Sequence, residues 1–295
     1  QFYHFLNFEN KGKNLMYTIK NSELKKAIFQ KIKKEKKIKI INTKVKEIDH
    51  KNSSIFFKDK AFHYDIILLC VGRNSQLVKK LTGIRSVRNN LNEIALTSIV
   101  KHNLNILNSR QYFLKEGPLA ILPINKKTFS LIWSINKNYH SNFSKDSIIK
   151  KLKEILNSDN KISISKVDSF PISFNLNINF FKKNILVLGE GSYNIHPVAG
   201  QGFNLILRDI QKLYEEMDKQ ISLGLQIKDS SMMHKYVVFR KPENLLFGLS
   251  INFIHNFFKN GKISNSFRKI ILSDINRFEF FKNLNLRIAD SGIFK

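Results

Sequence analysis

The stretch Ile185–Asp209, "ILVLGEGSYNIHPVAGQGFNLILRD", contains no Lys or Arg before Arg208. The chain has 50 Lys and Arg in 295 residues, so about four basic residues would be expected in a window of this length. The absence of cations predicts a segment that is buried or that faces a group beside which no cationic side chain is tolerated. The apolar start of the stretch is typical of a strand buried on both faces of a sheet.

The second half of the stretch, "PVAGQGFN", runs directly into a predicted helix, "NLILRDIQKLYEEMDKQI". Gly200 and Gly202 allow positive φ and the close approach of a ligand, and Pro197 stiffens the chain before them. The first turn of a helix has unpaired N–H groups and the positive end of the helix dipole, which favour a negative group without help from Lys or Arg. The residues alone therefore predict either such a backbone site or an ordinary glycine-rich turn.

The remaining pattern predicts a mixed α/β chain. Before residue 83 we expect a helix over 21–32 with Asn21 and Ser22 as its capping pair, strands over 37–49, 54–59 and 61–72, and a short helix from Ser75 to Gly83. From Glu93 the sequence pattern changes to successive short strands separated by turns, which predict a mostly antiparallel sheet as a second unit. A helix is predicted over 145–156, and the chain after Gly224 is expected to be helical and irregular.

Composition limits the class of protein. The hydrophobic fraction of 42% and the aromatic fraction of 12% exclude a disordered chain. The net charge of +27 is spread along the chain, so it is either a solvated surface from a compositional bias or a surface that favours anionic lipid headgroups. A nucleic-acid-binding protein is favoured by charge alone, and we expect no nucleic-acid partner. The single cysteine, Cys70, is predicted to be a small buried hydrophobe, and no apolar run is long enough to span a membrane.

The stretch resembles the second flavin-binding motif of the FAD-dependent aromatic hydroxylases, and it is most similar to the branch that hydroxylates the ring of ubiquinone precursors. The positions that match are Gly189, Pro197, Ala199, Gly200, Gln201, Gly202, Asn204 and Asp209. Four further stretches resemble the same family in the same order along the chain: "YTIKNSELKKAIFQKI", "GPLAILPI", "SLIWSI" and "DSFPI".

The resemblance implies an α/β (α+β) fold with three regions. These are an incomplete Rossmann-like FAD-binding domain over 16–82 and 184–224, an inserted, mostly antiparallel substrate domain over 83–183, and a helical C-terminal region over 225–295. The glycine-rich turn that holds the ADP half of FAD in this class is absent from the sequence. We therefore expect roughly 100 further residues upstream, opening with that strand, turn and helix.

The resemblance also implies the chemistry. NADH or NADPH reduces FAD, O₂ adds to the flavin at C4a, and the distal oxygen of the hydroperoxide passes to the aromatic ring of a polyprenylated phenol. Glu190 would accept a hydrogen bond from the ribityl chain, and the amides of residues 200–203 would lie at the pyrimidine edge of the flavin. The residues expected to bind the cofactor are Val45, Gly72, Gly189, Glu190, Pro197, Ala199, Gly200, Gln201, Gly202, Phe203 and Asn204. Pro197 and Val198 would line the substrate pocket, and no metal is expected.

For a lipid-like phenol, the resemblance implies a cytoplasmic protein in peripheral contact with the inner face of the membrane. A complex with other ubiquinone-biosynthesis proteins is also implied. Two departures leave a second hypothesis open: Glu190 and Val71 stand where the family has Asp. The alternative is a catalytically decayed, non-enzymatic homologue that acts as a binding or scaffold protein. His196 is interpreted as a packed structural residue, and neither Asp65 nor Glu93 has a recognisable catalytic partner.

Overall fold

The computed structural model describes residues 17–57, 60–72, 75–82, 86–138, 143–177, 179–194 and 200–259, together with 283, 287, 288 and 292. The helices in these ranges are α1 (Asn21–Lys34), α2 (Gln76–Thr82), α3 (Lys145–Leu156), α4 (Gly202–Ser222) and α5 (Ser230–Lys259). The strands are β1 (Glu47–Asp49), β2 (Ser54–Phe57), β3 (Lys60–His63), β4 (Ile67–Leu69), β5 (Ser86–His102), β6 (Arg110–Leu114), β7 (Gly117–Asn125), β8 (Thr128–Asn136), β9 (Ile162–Ile164), β10 (Asp168–Asn177), β11 (Phe181–Lys182), β12 (Ile185–Val187) and β13 (Tyr193–Asn194).

The chain divides into two compact units. The first takes the described residues within 1–41, 92–172 and 258–284, and the second takes those within 42–91, 173–257 and 285–295. The domain boundaries expected from the sequence, 16–82 with 184–224, 83–183 and 225–295, remain a prediction.

Strands β5, β6, β7, β8 and β9 form the antiparallel sheet of the first unit. Within it the order is β5-β8-β7-β6, and β9 pairs with β5. Along β8, every second residue from Phe129 to Ile135 is buried, because successive side chains of a strand point to opposite faces. Helix α3 adds Ile148, Leu152 and Ile155 to the same core. Ser144 caps α3 by accepting a hydrogen bond from the Ser147 N–H at 3.2 Å. The predicted antiparallel sheet is therefore confirmed.

The second unit contains a small sheet in the order β11-β12-β4, in which β12 and β4 run parallel. All three residues of β12 are buried, as the apolar pattern of the opening stretch predicts. The core around β12 includes Val78 of α2, Leu213 of α4 and Tyr236 of α5. The strand of the opening stretch therefore lies within this core, and the helix that follows contributes Leu213 to it.

The region before α2 differs from the prediction in two ways. The strand expected over 37–49 is restricted to β1, which forms a separate antiparallel sheet in the order β1-β2-β3. The strand expected over 61–72 is divided into β3 and β4 because the chain changes sheets between them. At the change, Tyr64 donates its N–H to the Ser53 carbonyl at 3.1 Å, and Ile67 donates to the Asn184 carbonyl at 3.0 Å. The apolar run over 61–72 therefore gave no sign of the break between β3 and β4.

Two smaller expectations are also corrected. Helix α1 begins at Asn21, so Asn21 and Ser22 lie inside it, while the cap residue is Lys20 and makes no side-chain capping bond. The apolar face of α1 is not covered, since none of its residues is buried. Cys70 is exposed rather than buried, because it follows the last residue of β4 at the edge of the sheet.

Helix α5 confirms a helical segment after Gly224, and Pro242 lies within it. Among the described residues, no helix has both the length and the apolar run that a membrane crossing requires.

Candidate functional site

Two parallel strand ends lie side by side in the second unit. The register of β4 and β12 pairs Leu69 with Val187, and the Leu188 N–H donates to the Leu69 carbonyl at 3.1 Å. The segments that follow the two strands therefore leave the sheet at the same edge. Gly72 lies in the segment after β4, and Glu190 lies in the segment after β12. The carboxyl ends of parallel strands are the usual location of ligand sites in α/β sheets.

The turn after β12 is tightly built. Gly189 has φ +72°, a left-handed conformation that favours glycine. A Cβ on Gly191 would lie 2.9 Å from the Val71 carbonyl oxygen and 2.8 Å from Val187 Cγ1. Because no side chain fits there, the chain after β12 can pack directly against the chain after β4. The Ser192 hydroxyl closes the turn by donating to the Gly189 carbonyl at 2.8 Å.

Glu190 lies on this turn, and its side chain is exposed. The carboxylate therefore stands in solvent at the strand edge, where it can accept hydrogen bonds from the hydroxyls of a ligand. Gly72 is exposed at the same edge, and a Cβ there would meet nothing within 4 Å. Gly72 and Glu190 are thus brought together by the parallel pairing of β4 and β12.

The beginning of α4 lies next to the same turn. A Cβ on Gly189 would lie 3.8 Å from Ile206 Cδ1, in the second turn of the helix. The first intrahelical bond runs from the Leu205 N–H to the Gln201 carbonyl at 3.0 Å. The N–H groups of the residues before Leu205 therefore have no acceptor inside the helix, and they carry the positive end of its dipole.

The two glycines at the start of α4 differ in conformation. Gly200 has φ +60°, and a Cβ there would meet nothing within 4 Å, so the backbone is held in a glycine conformation facing open space. Gly202 does not have the positive φ expected from the sequence, because it is already the first residue of α4. Phe203 and Asn204 are exposed in the first turn. Asn204 Nδ2 donates to Gln201 Oε1 at 2.9 Å, a brace that the sequence did not indicate.

For several predicted residues, the structure does not describe a place in this cluster. Pro197, Val198 and Ala199 lie outside the described residues, as does His196. Val45 is half-buried on the segment that leads into β1, where the neighbouring Lys46 N–H donates to the Phe56 carbonyl at 2.9 Å. Its role toward a cofactor remains a prediction. No group of metal-ligating side chains is present among the described residues.

Asp209 forms the centre of a buried polar network that the sequence motif did not explain. Its side chain accepts hydrogen bonds from Tyr193 Oη at 2.6 Å, Arg240 Nε at 2.6 Å and Asn244 Nδ2 at 3.3 Å. Asp209 and Arg240 are 1% and 2% exposed. Burial first, and then the carboxylate of Asp209, raise the pKa of Tyr193 far above its usual range. Tyr193 therefore stays a neutral hydrogen-bond donor at every physiological pH.

Two further charges complete the network. Arg240 Nη1 forms an ion pair with Glu243 Oε2, and Arg208 Nη1 lies 3.8 Å from Glu243 Oε1. Burial opposes the charge of Arg240, but the carboxylate of Asp209 outweighs it and raises the pKa of the guanidinium. Two cations and two carboxylates thus balance, as a buried charge cluster requires. The network fixes α4 against α5 and β13, and it thereby holds the beginning of α4 beside the strand turn.

The residues at this edge fit part of a flavin dinucleotide. N–H groups without an acceptor inside the helix suit the electron-rich N1 and O2 atoms of a reduced flavin, and the Glu190 carboxylate suits the ribityl hydroxyls. The open space at Gly200 leaves room for a ring system to approach the backbone. The stretch that forms this edge contains no Lys or Arg before Arg208.

The fold is that of the FAD-dependent monooxygenases. Over 93% of this chain and 73% of the other, it is similar to p-nitrophenol 4-monooxygenase PnpA from Pseudomonas putida DLL-E4, with a TM-score of 0.73 and 12% identity. It is also similar to the flavin-dependent brominase Bmp2 over 95% of this chain and 72% of that chain, with a TM-score of 0.72 and 14% identity. At these identities the comparison establishes the fold, and it confirms the predicted fold class.

In sequence, the chain is similar to ubiquinone-biosynthesis monooxygenases. It is 26% identical to mitochondrial ubiquinone biosynthesis monooxygenase COQ6 of Dictyostelium discoideum, over 92% of this chain and 68% of that protein. It is 22% identical to 3-demethoxyubiquinol 3-hydroxylase of Escherichia coli, over 63% of this chain and 45% of that protein. Ubiquinone hydroxylase UbiL of Rhodospirillum rubrum is 26% identical over 59% of this chain and 42% of its own length. No family model matches the chain. The predicted resemblance to this class of enzyme is confirmed.

Proposed function

We propose that the chain is part of a flavin-dependent monooxygenase that hydroxylates the aromatic ring of a polyprenylated phenol in ubiquinone biosynthesis. The observation that carries the proposal is the convergence, at the carboxyl edge of β4 and β12, of the Glu190 turn and the cation-free beginning of α4. The names of the relatives support the same substrate class. The chain spans 68% of the Dictyostelium protein and less than half of the bacterial ones, so the activity is proposed for the whole protein.

Each residue has a proposed task. The N–H groups at the beginning of α4 stabilise negative charge on the pyrimidine edge of the flavin, and Gly200 leaves that edge accessible. Glu190 accepts a hydrogen bond from the ribityl chain, with its extra methylene shifting the carboxylate relative to an Asp. Pro197 and Val198 line the substrate pocket. Bound FAD, reduced by NADH or NADPH, would supply the reaction with O₂ that delivers one oxygen atom to the ring.

A non-enzymatic homologue is the second candidate, and one observation favours it. Val71 stands where the family has an Asp, and in this structure it packs against the apolar core around β12. The position therefore offers no carboxylate to a cofactor. A protein that bound FAD without turnover would agree with this second candidate.

The substrate class determines where the protein would work. A polyprenylated phenol is dissolved in the membrane, so we propose peripheral contact with its inner face from the cytoplasmic side. Contact with other ubiquinone-biosynthesis proteins would pass the substrate along without its leaving the membrane. Both proposals rest on the substrate class.

The test uses the protein expressed from its complete gene. The purified protein should be yellow with bound FAD, and NADH or NADPH should bleach the flavin under anaerobic conditions. With O₂ and a short-chain prenylated phenol, the product should gain the mass of one oxygen atom. Glu190→Ala should lower FAD occupancy, while Glu47→Ala, another exposed Glu, serves as the matched control. Bound FAD without product would support the non-enzymatic candidate, and a colourless protein that takes up no FAD would overturn both.

A further inference from the structure

Helix α5 has two sides with different surroundings. Its inner side is buried, where Tyr236 joins the core around β12 and Arg240 binds Asp209. Since successive residues of a helix are turned by about 100°, the residues between these inward positions point away from the protein. We call this side the outer face of α5. Its apolar residues are Val238, Phe239, Pro242, Leu245, Leu246 and Leu249, and all of them are exposed.

The large side chains of the outer face form one apolar stripe. Their exposed fractions are 59% for Val238, 37% for Phe239, 41% for Leu245, 44% for Leu246 and 47% for Leu249. From Val238 to Leu249 the stripe extends about 17 Å along the helix axis. The outward side of a helix on a protein surface normally carries polar residues. A continuous exposed apolar stripe is therefore typical of an interaction surface.

The charged side chains that border the stripe have the same sign. Lys235 is exposed and Lys241 is half-buried. Between residues 231 and 250 the only acidic residue is Glu243, which is buried and forms an ion pair with Arg240. The outer face thus combines apolar side chains with cations and contains no carboxylate. This combination is complementary to a lipid surface, where anionic headgroups cover an apolar layer.

The helix is suited to lie on a membrane rather than to cross it. Pro242 has no N–H, so the Val238 carbonyl receives no hydrogen bond from the next turn of the helix. Such a carbonyl needs water or a headgroup as its partner, which the membrane interface supplies and the hydrocarbon layer does not. The inner side also keeps the ion pair of Arg240 and Glu243 within the protein.

A second copy of the chain fits the outer face less well than a lipid surface does. A twofold dimer would bring the same face of both copies together. Lys241 lies near the middle of the face, beside Pro242. The two copies of Lys241 would then approach each other on surfaces without a carboxylate, which is unfavourable. The charge of the outer face therefore favours an anionic membrane as its partner.

We propose that the outer face of α5 docks onto an anionic lipid bilayer. The apolar stripe enters the boundary between headgroups and acyl chains, and Lys235 and Lys241 lie among the anionic headgroups. The proposal rests on the proposed function in one respect, the presence of the substrate in a membrane. Vesicle binding is measured without substrate or turnover, so the failure of one proposal is distinguished from the failure of the other.

The first experiment is co-sedimentation of the protein expressed from its complete gene. Vesicles of phosphatidylcholine and phosphatidylglycerol in equal parts are compared with vesicles of phosphatidylcholine alone. We expect the protein to bind the anionic vesicles more tightly. Leu245→Gln with Leu249→Gln should weaken this binding at least about tenfold, because two leucines no longer enter the lipid.

A matched pair of leucines serves as the control for this loss. Leu223→Gln with Leu225→Gln changes two exposed leucines of the same unit outside α5, and this variant should bind the anionic vesicles like the parent protein. No binding by the parent protein, or equal weakening in the two variants, would overturn the proposal.

The second experiment tests the cations of the outer face. Lys235→Gln with Lys241→Gln should weaken binding to the anionic vesicles about tenfold at low salt, and added salt should reduce the difference. Lys219→Gln with Lys228→Gln removes the same charge from two exposed lysines outside α5, and it should have a much smaller effect. Equal effects of the two pairs would show that only the total charge of the protein attracts it to lipid, which contradicts docking through the outer face.

The third experiment reads the position of the stripe in the bilayer. With every native cysteine replaced by serine, Cys70 included, an environment-sensitive fluorophore is attached at Leu246→Cys or, as the control, at Leu223→Cys. Anionic vesicles should shift the emission at position 246 to shorter wavelength, and lipids brominated near the headgroup should quench it. Equal responses at both positions would overturn the proposal. Sedimentation velocity without lipid tests the second copy: a dimer that Leu245→Gln with Leu249→Gln dissociates would assign the outer face to self-association instead.

Discussion

Two regions of α4 differ in how their polar groups are used: the open region at Gly202, where the helix begins, and the buried region around Asp209. At Gly202 the helix starts with N–H groups that have no acceptor inside the helix and with no charged side chain. At Asp209, about 10 Å further along the axis, it places a carboxylate in a buried charge network. The first region leaves its hydrogen-bonding groups open to a ligand. In the second, each charged side chain has an oppositely charged neighbour inside the protein. In the proposed site, recognition depends on the backbone, while the helix that presents this backbone is held in place by side chains.

The largest expected effect tests the buried region. Asp209→Ala removes the acceptor of Tyr193, Arg240 and Asn244 and leaves Arg240 with a single carboxylate partner. Removing one partner from a buried charge pair costs about 3–5 kcal/mol, and we expect a loss of that size in the free energy of unfolding measured in urea. Asp218→Ala, an exposed Asp on the same helix, should change it by less than about 0.5 kcal/mol. Similar losses in both variants would show that the network contributes no special stability.

Removing one hydroxyl from the same network should have an intermediate effect. Tyr193→Phe deletes the 2.6 Å bond to Asp209 Oδ2 and keeps the ring in place. A hydrogen bond to a charged group contributes about 1.5–3 kcal/mol, so unfolding should become easier by that amount. FAD affinity should fall far less than stability. If affinity falls as much as stability does, the two regions of α4 are not independent.

How far the sequence predicted each region follows from the range of its interactions. The beginning of α4 depends on Gly200, Gly202 and their neighbours within a few positions, so a local motif indicates it. The Asp209 network joins residues 31 and 35 positions apart on different helices. No local sequence pattern predicts which distant residues pair with Asp209, although the motif included Asp209 itself. The strand break between β3 and β4 was missed for a similar reason, because one partner at the break, Asn184, lies 117 positions from Ile67 in the sequence.

The open region can be tested with a matched pair of glycines at the two ends of α4. Gly200 has φ +60° and Gly224 has φ +71°, and a Cβ at either position would meet nothing within 4 Å. Valine should strain the backbone by about 1–2 kcal/mol at both positions. Gly200→Val should also weaken FAD binding at least about tenfold, because its side chain would occupy the space proposed for the flavin. Gly224→Val should lose stability and keep its FAD affinity. Equal FAD affinity in the two variants would show that the flavin does not bind at the beginning of α4.

The smallest expected effect concerns Glu190, the only carboxylate on the turn after β12. Glu190→Ala removes every acceptor from its exposed side chain, and the loss of one hydrogen bond of about 1 kcal/mol should weaken FAD binding about fivefold. Glu190→Gln keeps one carbonyl oxygen as an acceptor, so its loss of affinity should be smaller. Neither change should alter the free energy of unfolding, since Glu190 is exposed and lies outside the Asp209 network. Flavin fluorescence titration of the two variants measures the difference. If both variants hold FAD as tightly as the parent protein, the ribityl chain does not bind Glu190. The proposed flavin contacts would then be limited to the backbone at the beginning of α4.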